Sequence, residues 1–160
     1  RDARIVVIST VNQGAARARE TGIRHAKGDY ICFLDGDDVW DSRMLEKLVA
    51  AIGENGGYDI VCCDYKRICK TYEAPKREMR TSDMQGLDFL VASLYHAISV
   101  TVWGRLYRRA LFEKELRHYP LRLGEDSLLN IQIGCQQPRV RLCAARRVGQ
   151  PFAARYRLLR

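Results

Sequence analysis

Residues 5–63 alternate strand-like and helix-like stretches, and this order limits the possible folds more than any other feature of the chain. Two helices are predicted, one over Ala15–Ala26 and one with an apolar stripe from Met44 to Ile52. The apolar or β-branched runs predicted to be strands are Ile5–Ile8, Tyr30–Leu34 and Asp59–Cys63. Such an order predicts an α/β fold, and right-handed crossovers between the strands would make the sheet parallel.

The rest of the chain predicts elements in a less regular order. Lys66–Asp83 is polar and basic, which is typical of a hairpin or a mobile loop, and Ser99–Trp103 is predicted to be a strand. Val140–Tyr156 has room for one or two further strands. The predicted helices are Gly86–His96, Leu106–Leu116 and Glu125–Gln136.

The composition is that of one domain. The chain has 160 residues, 47% of them hydrophobic, and none of its apolar runs approaches the roughly 18 residues that span a bilayer. Its first residue is Arg1 and no signal-peptide pattern follows, so we expect a piece of a longer protein. Six cysteines without a C-x-x-C pair favour free thiols in a reducing cytosol over a zinc site.

The formal net charge of +8 indicates an anionic partner. Seven arginines and no acid occupy residues 139–160, which form either a solvated surface or a surface that faces anionic lipid or a pyrophosphate-linked acceptor. A non-catalytic, basic nucleic-acid-binding module is an alternative function, and it predicts binding that weakens steeply with salt. Against this alternative, the aromatic residues do not alternate with the basic residues as a stacking surface requires.

Three acids stand within four residues in Asp35-Gly36-Asp37-Asp38, directly after an apolar run. Carboxylates this close repel one another, so the cluster indicates a bound cation. Oxygen ligands favour Mg²⁺ or Mn²⁺, and ligands of open α/β sheets bind at the carboxyl ends of the strands. Gly36 would let a bulky ligand approach the backbone. The alternative is a polar turn before a helix that Asp41 caps.

The turn Asn12-Gln13-Gly14 lies immediately before the first predicted helix. Helix N-termini offer free N–H groups to anions, and Arg17 and Arg19 could add positive charge toward a phosphate. An ordinary turn followed by solvent-exposed arginines explains the same residues without a ligand.

Glu125 and Asp126 open the last predicted helix, and Trp103 ends a predicted strand. A carboxylate held at the edge of a cleft can take a proton from a hydroxyl, although the helix dipole also explains acids in a first helical turn. Trp103 beside Gly104 could stack on a sugar ring, although tryptophan more often packs in a core.

Three blocks of sequence, in order, resemble the inverting glycosyltransferases of family two, which have the GT-A fold. The blocks are Asn12-x-Gly14 with Ala18-Arg19 and Gly22, then Lys27-Gly28-Asp29-Tyr30 running into Phe33-Leu34-Asp35-Gly36-Asp37-Asp38 and Trp40, then Trp103–Arg109 followed by Gly124-Glu125-Asp126. Glu20 departs from the Asn that is usual in the family. The resemblance implies an α/β, Rossmann-like GT-A domain with a mostly parallel sheet flanked by helices, incomplete at its N-terminus because the family's sheet starts earlier.

The resemblance also implies an activity and its residues. A sugar would pass from a nucleoside-diphosphate sugar to an acceptor hydroxyl with inversion, in cell-surface polysaccharide or lipopolysaccharide synthesis. Asp35 and Asp37 would bind Mg²⁺ or Mn²⁺, Asp126 would be the catalytic base with Glu125 beside it, and Trp103 would contact the acceptor. The implied donor-binding residues are Asn12, Gly14, Arg19, Asp35, Gly36 and Asp37.

Residues 1–160 would then be a single partial catalytic domain, with a donor and metal half at 1–64 and an acceptor half at 65–160. The implied partners are the nucleotide-sugar donor and a saccharide or lipid-linked acceptor, with peripheral membrane contact and no nucleic acid. We expect a cytoplasmic location at the inner face of the membrane, and little or no catalysis by residues 1–160 alone. A glycosidase with a carboxylate pair is a further alternative, and it would need neither metal nor nucleotide.

Overall fold

The computed structural model describes residues 2–68, 81–95, 97–114, 116–117, 121, 124–143 and 155–157. Within these ranges the α-helices are α1 (Ala15–His25), α2 (Met44–Ile52), α3 (Gly86–Leu94) and α4 (Glu125–Gly134). The strands are β1 (Tyr30–Ile31), β2 (Asp38–Val39), β3 (Ile60–Cys63), β4 (Lys66–Ile68), β5 (Ser82–Met84), β6 (Arg105–Arg108), β7 (Val140–Cys143) and β8 (Arg155–Arg157). Short 3₁₀ turns lie at Glu54–Gly56 and Arg109–Phe112.

Five strands form one mixed sheet in the order β1-β6-β3-β7-β5. β3 is parallel to β7, whereas the pairs β1–β6, β3–β6 and β5–β7 are antiparallel. The α/β class is confirmed, but the expectation of a mostly parallel sheet is wrong for the strands that the structure describes. Two of the three antiparallel pairs involve β6, because this strand lies between β1 and β3 and is antiparallel to both. A smaller sheet, in the order β2-β8-β4, places Asp38–Val39 beside Arg155–Arg157.

The larger sheet is covered on both faces, and β3 shows this most clearly because all four of its residues are buried. Successive side chains of a strand point to opposite faces. Ile60 and Cys62 accordingly belong to one hydrophobic cluster, which also contains residues of α3 and α4, whereas Val61 and Cys63 belong to a second cluster with α2. Helices therefore flank the sheet on both sides, as the sequence predicts.

Helices α3 and α4 approach each other closely at two glycines. A Cβ added at Gly86 would lie 2.2 Å from the Gln137 Cα, and one at Gly134 would lie 3.1 Å from the Leu90 Cβ. The small-residue face of α1 behaves differently, because a Cβ at Gly22 would meet no atom within 4 Å and none of the residues of α1 is buried. Gly22 therefore makes no close contact with the sheet, whereas Ile23 and Ala26 pack against the first hydrophobic cluster.

Two predicted elements differ from the structure. The run Ile5–Ile8 is not a strand, and its side chains are 39% to 74% exposed, because no described strand lies beside it. The stretch Leu106–Leu116, predicted to be a helix, instead contains most of β6 and a 3₁₀ turn. An apolar run this short fits the period of a helix as well as that of a strand. Hydrogen bonding to β1 and β3 on its two sides favours the strand.

Other predictions are confirmed with shorter bounds. α1, α2, α3 and α4 lie within the predicted helices, and β3 and β7 lie within predicted strands. The strand predicted at Tyr30–Leu34 is reduced to Tyr30–Ile31. The prediction of a strand at Ser99–Trp103 is wrong, because this stretch forms only an isolated bridge between Trp103 and Phe33. Much of Lys66–Asp83 falls outside the described residues, as does the stretch 144–154. Across the described ranges, the helices are all too short or too polar to traverse a bilayer.

Candidate functional site

A tight turn leads into α1 and fixes where this helix begins. The Asn12 Oδ1 accepts a hydrogen bond from the Gly14 N–H at 3.1 Å. Gly14 has φ +85°, a left-handed conformation that glycine adopts without strain, and α1 starts at the next residue. Asn12 and Gly14 are both exposed, so they remain available to a ligand in front of the helix.

Arg19, in the middle of α1, joins carboxylates that are far apart in the sequence. Its Nη1 donates to the Asp126 Oδ1 at 2.6 Å, and its Nη2 donates to the two oxygens of Asp35 at 3.0 and 3.3 Å. The Glu125 carboxylate lies 4.0 Å from the same guanidinium. One cation therefore gathers three of the predicted site acids, and it links the start of α4 to the segment that follows β1.

The Asp126 carboxylate is held through both of its oxygens. Oδ1 accepts from Arg19, and Oδ2 accepts from the backbone N–H of Val102 at 3.2 Å. Burial raises the pKa of Asp126 above its ordinary value, while Arg19 and the Val102 N–H act in the opposite direction. A fixed carboxylate with a raised pKa, in the first turn of a helix, is well suited to accept a proton from a nearby hydroxyl.

The three acids of the Asp35–Asp38 cluster lie in different environments. Asp35 is half-buried against Arg19, and Asp37 is exposed. Asp38 is buried in β2, and within the described residues neither of its carboxylate oxygens has a hydrogen-bond partner. Burial, helped by the charges of Asp37 and Asp35, raises the pKa of Asp38 to about 6. Among the side chains that the structure describes, Arg19 pairs with Asp35, and no ion pair includes Asp37 or Asp38.

Carboxylate oxygens such as those of the cluster are ligands that a hard divalent cation prefers. No set of three or more His, Cys, Asp or Glu side chains converges on a metal position in the described ranges. Mg²⁺, however, is commonly bound by one or two carboxylates together with substrate phosphates, and such a site needs no preformed set of three. Asp35 and Asp37 could supply those oxygens, and the partnerless oxygens of Asp38 add to the negative potential there.

Trp103 lies beneath the site and not on its surface. It is 4% exposed, and its ring packs edge-to-face against Tyr65 with 5.0 Å between the ring centroids. This environment favours the packing role over the stacking platform, and its contact with an acceptor stays a prediction. Gly104, the next residue, has φ +68° and its carbonyl accepts from the Cys63 N–H at 2.9 Å, which anchors this stretch to β3.

A groove of about 510 Å³ adjoins the ion pair of Arg19 and Asp35. It runs between α1 and the segment 30–36, and Arg19, Asp35 and Gly36 stand among its lining residues. Ala18 and Gly22 also line it, so the small side chains of α1 widen the groove. Of the predicted donor residues, Arg19, Asp35 and Gly36 therefore share one open surface.

The sequence motifs indicate the acids of the candidate site but not the contacts that organise them. The Val102 N–H is a backbone group, so its bond to Asp126 leaves no signal in the residue types. Arg19 was predicted only to bind the donor, whereas in the structure it also contacts Asp126. The motif spacing alone does not indicate that one guanidinium reaches both acids.

The fold and the site together define a GT-A domain, and comparisons with known proteins agree. Glycosyl transferase family 2 matches residues 1–116. The chain is 38% identical over 151 residues to the uncharacterized glycosyltransferase EpsJ of Bacillus subtilis (strain 168), a match that covers 89% of this chain and 43% of EpsJ. The chain belongs to glycosyl transferase family 2.

Further matches come from Staphylococcus aureus. TarP of strain N315, a poly(ribitol-phosphate) β-N-acetylglucosaminyltransferase, is 27% identical over 124 residues, covering 76% of this chain and 37% of TarP. The crystal structure of S. aureus TarS 1–349 in complex with UDP-GlcNAc matches with a TM-score of 0.72 at 18% identity, over 96% of this chain and 42% of that one. The chain thus spans less than half the length of these relatives.

Proposed function

We propose that the chain is the part of a metal-dependent, inverting glycosyltransferase that holds the metal, the sugar side of the donor and the catalytic base. The observation that carries the proposal is Arg19, which binds Asp35 with one nitrogen and Asp126 with another. A donor motif and a base must act on the same sugar, so they have to face one cleft. Their shared guanidinium supports that arrangement.

On the donor side, Asp35 and Asp37 would hold Mg²⁺ or Mn²⁺ against the diphosphate. When bound, the metal stabilises the charge that develops on the departing nucleoside diphosphate. Asn12 and Gly14 would meet the donor in front of α1, where N–H groups point outward. Gly36, whose added Cβ would meet no atom within 4 Å, leaves the backbone open to the ligand.

On the acceptor side, Asp126 would remove the proton from the attacking hydroxyl. The hydroxyl oxygen then bonds to the anomeric carbon from the face opposite the leaving group, and the nucleoside diphosphate departs with the electron pair of the broken bond. The configuration of the sugar is inverted in this single displacement. Glu125, near the same guanidinium, would orient the acceptor or Asp126.

The relatives support a nucleotide-sugar donor, because TarS has been crystallised with UDP-GlcNAc and with UDP. They also support a role in polysaccharide synthesis, since TuaG of Bacillus subtilis is named for putative teichuronic acid biosynthesis. We extend the proposal to a saccharide or lipid-linked acceptor, to peripheral contact at the inner face of the membrane, and to weak or absent turnover by residues 1–160 alone. Nucleic acid is not among the proposed partners.

Two acid-to-amide substitutions in the intact protein test the proposal. Asp126→Asn should lower transfer by about 10²–10⁴-fold, which is the usual cost of losing a general base, while donor binding stays nearly normal. Glu125→Gln makes the same change of charge one residue away, and because Glu125 would orient groups and not accept the proton, it should lower transfer less than Asp126→Asn. If both acids merely stabilise the start of α4, the two variants should show similar small losses in melting temperature and near-normal turnover. Near-normal transfer by Asp126→Asn would show that Asp126 is not the base.

A further inference from the structure

A buried arginine lies behind the proposed base. Arg105, on β6, is 2% exposed, and its Nη1 donates to the Asn130 Oδ1 while its Nη2 donates to the Ser99 carbonyl. Its guanidinium also lies over the Phe89 ring, 5.3 Å from the centroid. Among the ion pairs of the described residues, none includes Arg105. Burying a guanidinium among neutral partners costs desolvation free energy. The hydrogen bonds of Arg105 therefore indicate a role that an apolar side chain could not perform.

Three side chains, those of Arg105, Tyr107 and Asn130, donate hydrogen bonds to one short loop, residues 99–102. Arg105 donates to the Ser99 carbonyl, the Asn130 Nδ2 donates to the Val100 carbonyl, and the Tyr107 hydroxyl donates to the Val102 carbonyl at 3.2 Å. Three donors from β6 and α4 therefore fix three carbonyls within four residues. We refer to Arg105, Tyr107 and Asn130 as the loop clamp.

The clamped loop in turn holds Asp126. Its Val102 N–H donates to the Asp126 Oδ2, and the Asn130 Nδ2 also donates to the Asp126 carbonyl at 2.9 Å. The position of the loop relative to the start of α4 thus sets where the carboxylate points. A displacement of about 1 Å in a catalytic group can cost about 10²-fold in rate, so such a support has a kinetic consequence.

We propose that Arg105, Tyr107 and Asn130 are positioning residues, which fix loop 99–102 so that the Val102 N–H orients the proposed catalytic base Asp126. This inference rests on the proposed function of Asp126. None of the three side chains needs to touch the substrates. They act through the loop, and their effect should appear in the orientation and in the acidity of Asp126.

The charges around Asp126 determine the direction in which its pKa should change when the loop clamp is loosened. Arg19 and the Val102 N–H lower the pKa of Asp126, whereas Glu125 and Asp35 raise it along with burial. Arg105 contributes a further positive charge on the buried side. Loosening the clamp weakens the Val102 bond, so the pKa of Asp126 rises and the base becomes protonated at higher pH. The acid limb of the turnover profile should therefore move upward.

The chain offers a matched control at another part of the same sheet. Tyr58 and Arg141 are likewise buried, with the Tyr58 hydroxyl donating to Asp83 and accepting from Arg141. Tyr107→Phe and Arg105→Lys should therefore be compared with Tyr58→Phe and Arg141→Lys in the intact protein. Tyr107→Phe and Tyr58→Phe each remove a buried hydroxyl, and Arg105→Lys and Arg141→Lys each replace a buried guanidinium. Tyr107→Phe keeps almost all of the side-chain volume, so this variant should fold.

The measurements are the melting temperature, the pH profile of kcat, the donor KM and hydrogen exchange at the Val102 amide. We expect all four variants to have a lower melting temperature than the parent protein. Tyr107→Phe and Arg105→Lys alone should speed exchange at Val102, move the acid limb upward and lower kcat by about 10-fold, within the roughly 10²-fold attributed to misplaced groups. Donor KM should stay near normal.

The outcomes separate this inference from the proposed function. If Asp126→Asn keeps near-normal transfer, the proposed function is wrong and the positioning role is wrong with it. If Asp126→Asn loses transfer but the clamp variants keep the acid limb and the kcat of their controls, only the positioning role is overturned. Unchanged exchange at Val102 in both clamp variants would overturn it as well.

Discussion

At the scale of single residues, the sequence indicates candidate acids but not the contacts that join them in the structure. Asp35 follows an apolar run and Asp126 opens a helix, and each position has a local pattern that indicates chemistry. Arg19 and Asp126 are 107 residues apart in sequence, so their bond depends on the complete fold. The buried position of Trp103 likewise depends on its neighbours, because a strand end in sequence gives no measure of what covers it.

The first residue-scale prediction concerns Asp37, the exposed acid of the cluster. Asp37→Ala should weaken Mn²⁺-dependent nucleotide binding by at least the roughly 10–100-fold that loss of a supporting group around a metal costs. Binding without the metal should change little, because the substitution removes a proposed metal ligand and no buried contact. Calorimetric titration of the intact protein with nucleotide, with and without Mn²⁺, measures both.

Asp41→Ala is the control for this prediction. It makes the same change of charge four residues later, and among the described residues its carboxylate accepts a local bond from the Arg43 N–H at 3.0 Å. We expect a modest loss of stability at the start of α2 and unchanged nucleotide affinity. Equal nucleotide affinities in Asp37→Ala, Asp41→Ala and the parent protein would remove Asp37 from the donor site.

At the scale of elements, the predictions succeeded where a helix has a clear apolar face and failed where a short apolar run fits two periods. The stripe of α2 places Met44, Leu48 and Ile52 in the core, and this helix has the predicted position. β6 has no such signal, because its pairing with two neighbouring strands is a long-range property. The direction of β6, and with it the mixed character of the sheet, could not be read from local sequence for the same reason.

An element-scale prediction follows from the contact between α3 and the end of α4. Gly86→Ala would place a Cβ 2.2 Å from the Gln137 backbone, so α3 must shift, and we expect a loss of about 1–3 kcal/mol in the free energy of unfolding. Gly22→Ala is the control, because its Cβ meets no atom within 4 Å and the higher helix propensity of alanine should stabilise α1 by up to about 1 kcal/mol. Denaturant unfolding of both variants measures the difference. Equal effects would mean that the close contact does not constrain α3.

At the scale of the whole molecule, part of the basic excess holds the chain together. Arg141 is buried and pairs with Asp83 and Glu54 at 3.1 Å each, and Arg139 donates to the carbonyls of Asn55 and Gly56. Arg139 and Arg141 therefore have partners within the described part of the fold, and the buried Arg141 does not belong to a solvated surface. The remaining members of that stretch with described backbone, Arg155 and Arg157, lie in β8 beside the acid cluster segment. The net charge of the sequence does not distinguish an arginine that pairs within the fold from one that lies beside the acid cluster.

The last prediction concerns how residues 1–160 behave when they are prepared alone. β1 is the edge strand of the larger sheet, and the apolar side chains of Val6, Val7 and Val11 are exposed. Unpaired strand edges and contiguous apolar surface favour association between copies, so sedimentation velocity should show association that increases with protein concentration. A Val6→Lys, Val7→Lys double variant should shift the distribution toward monomer, because two buried charges would oppose the contact. Val49→Lys plus Leu45→Lys, which adds the same charge at two exposed apolar residues of α2, is the control and should leave the association nearly unchanged. If the parent chain stays monomeric at every concentration, or if both double variants reduce association equally, the run at residues 6–11 is not the contact surface.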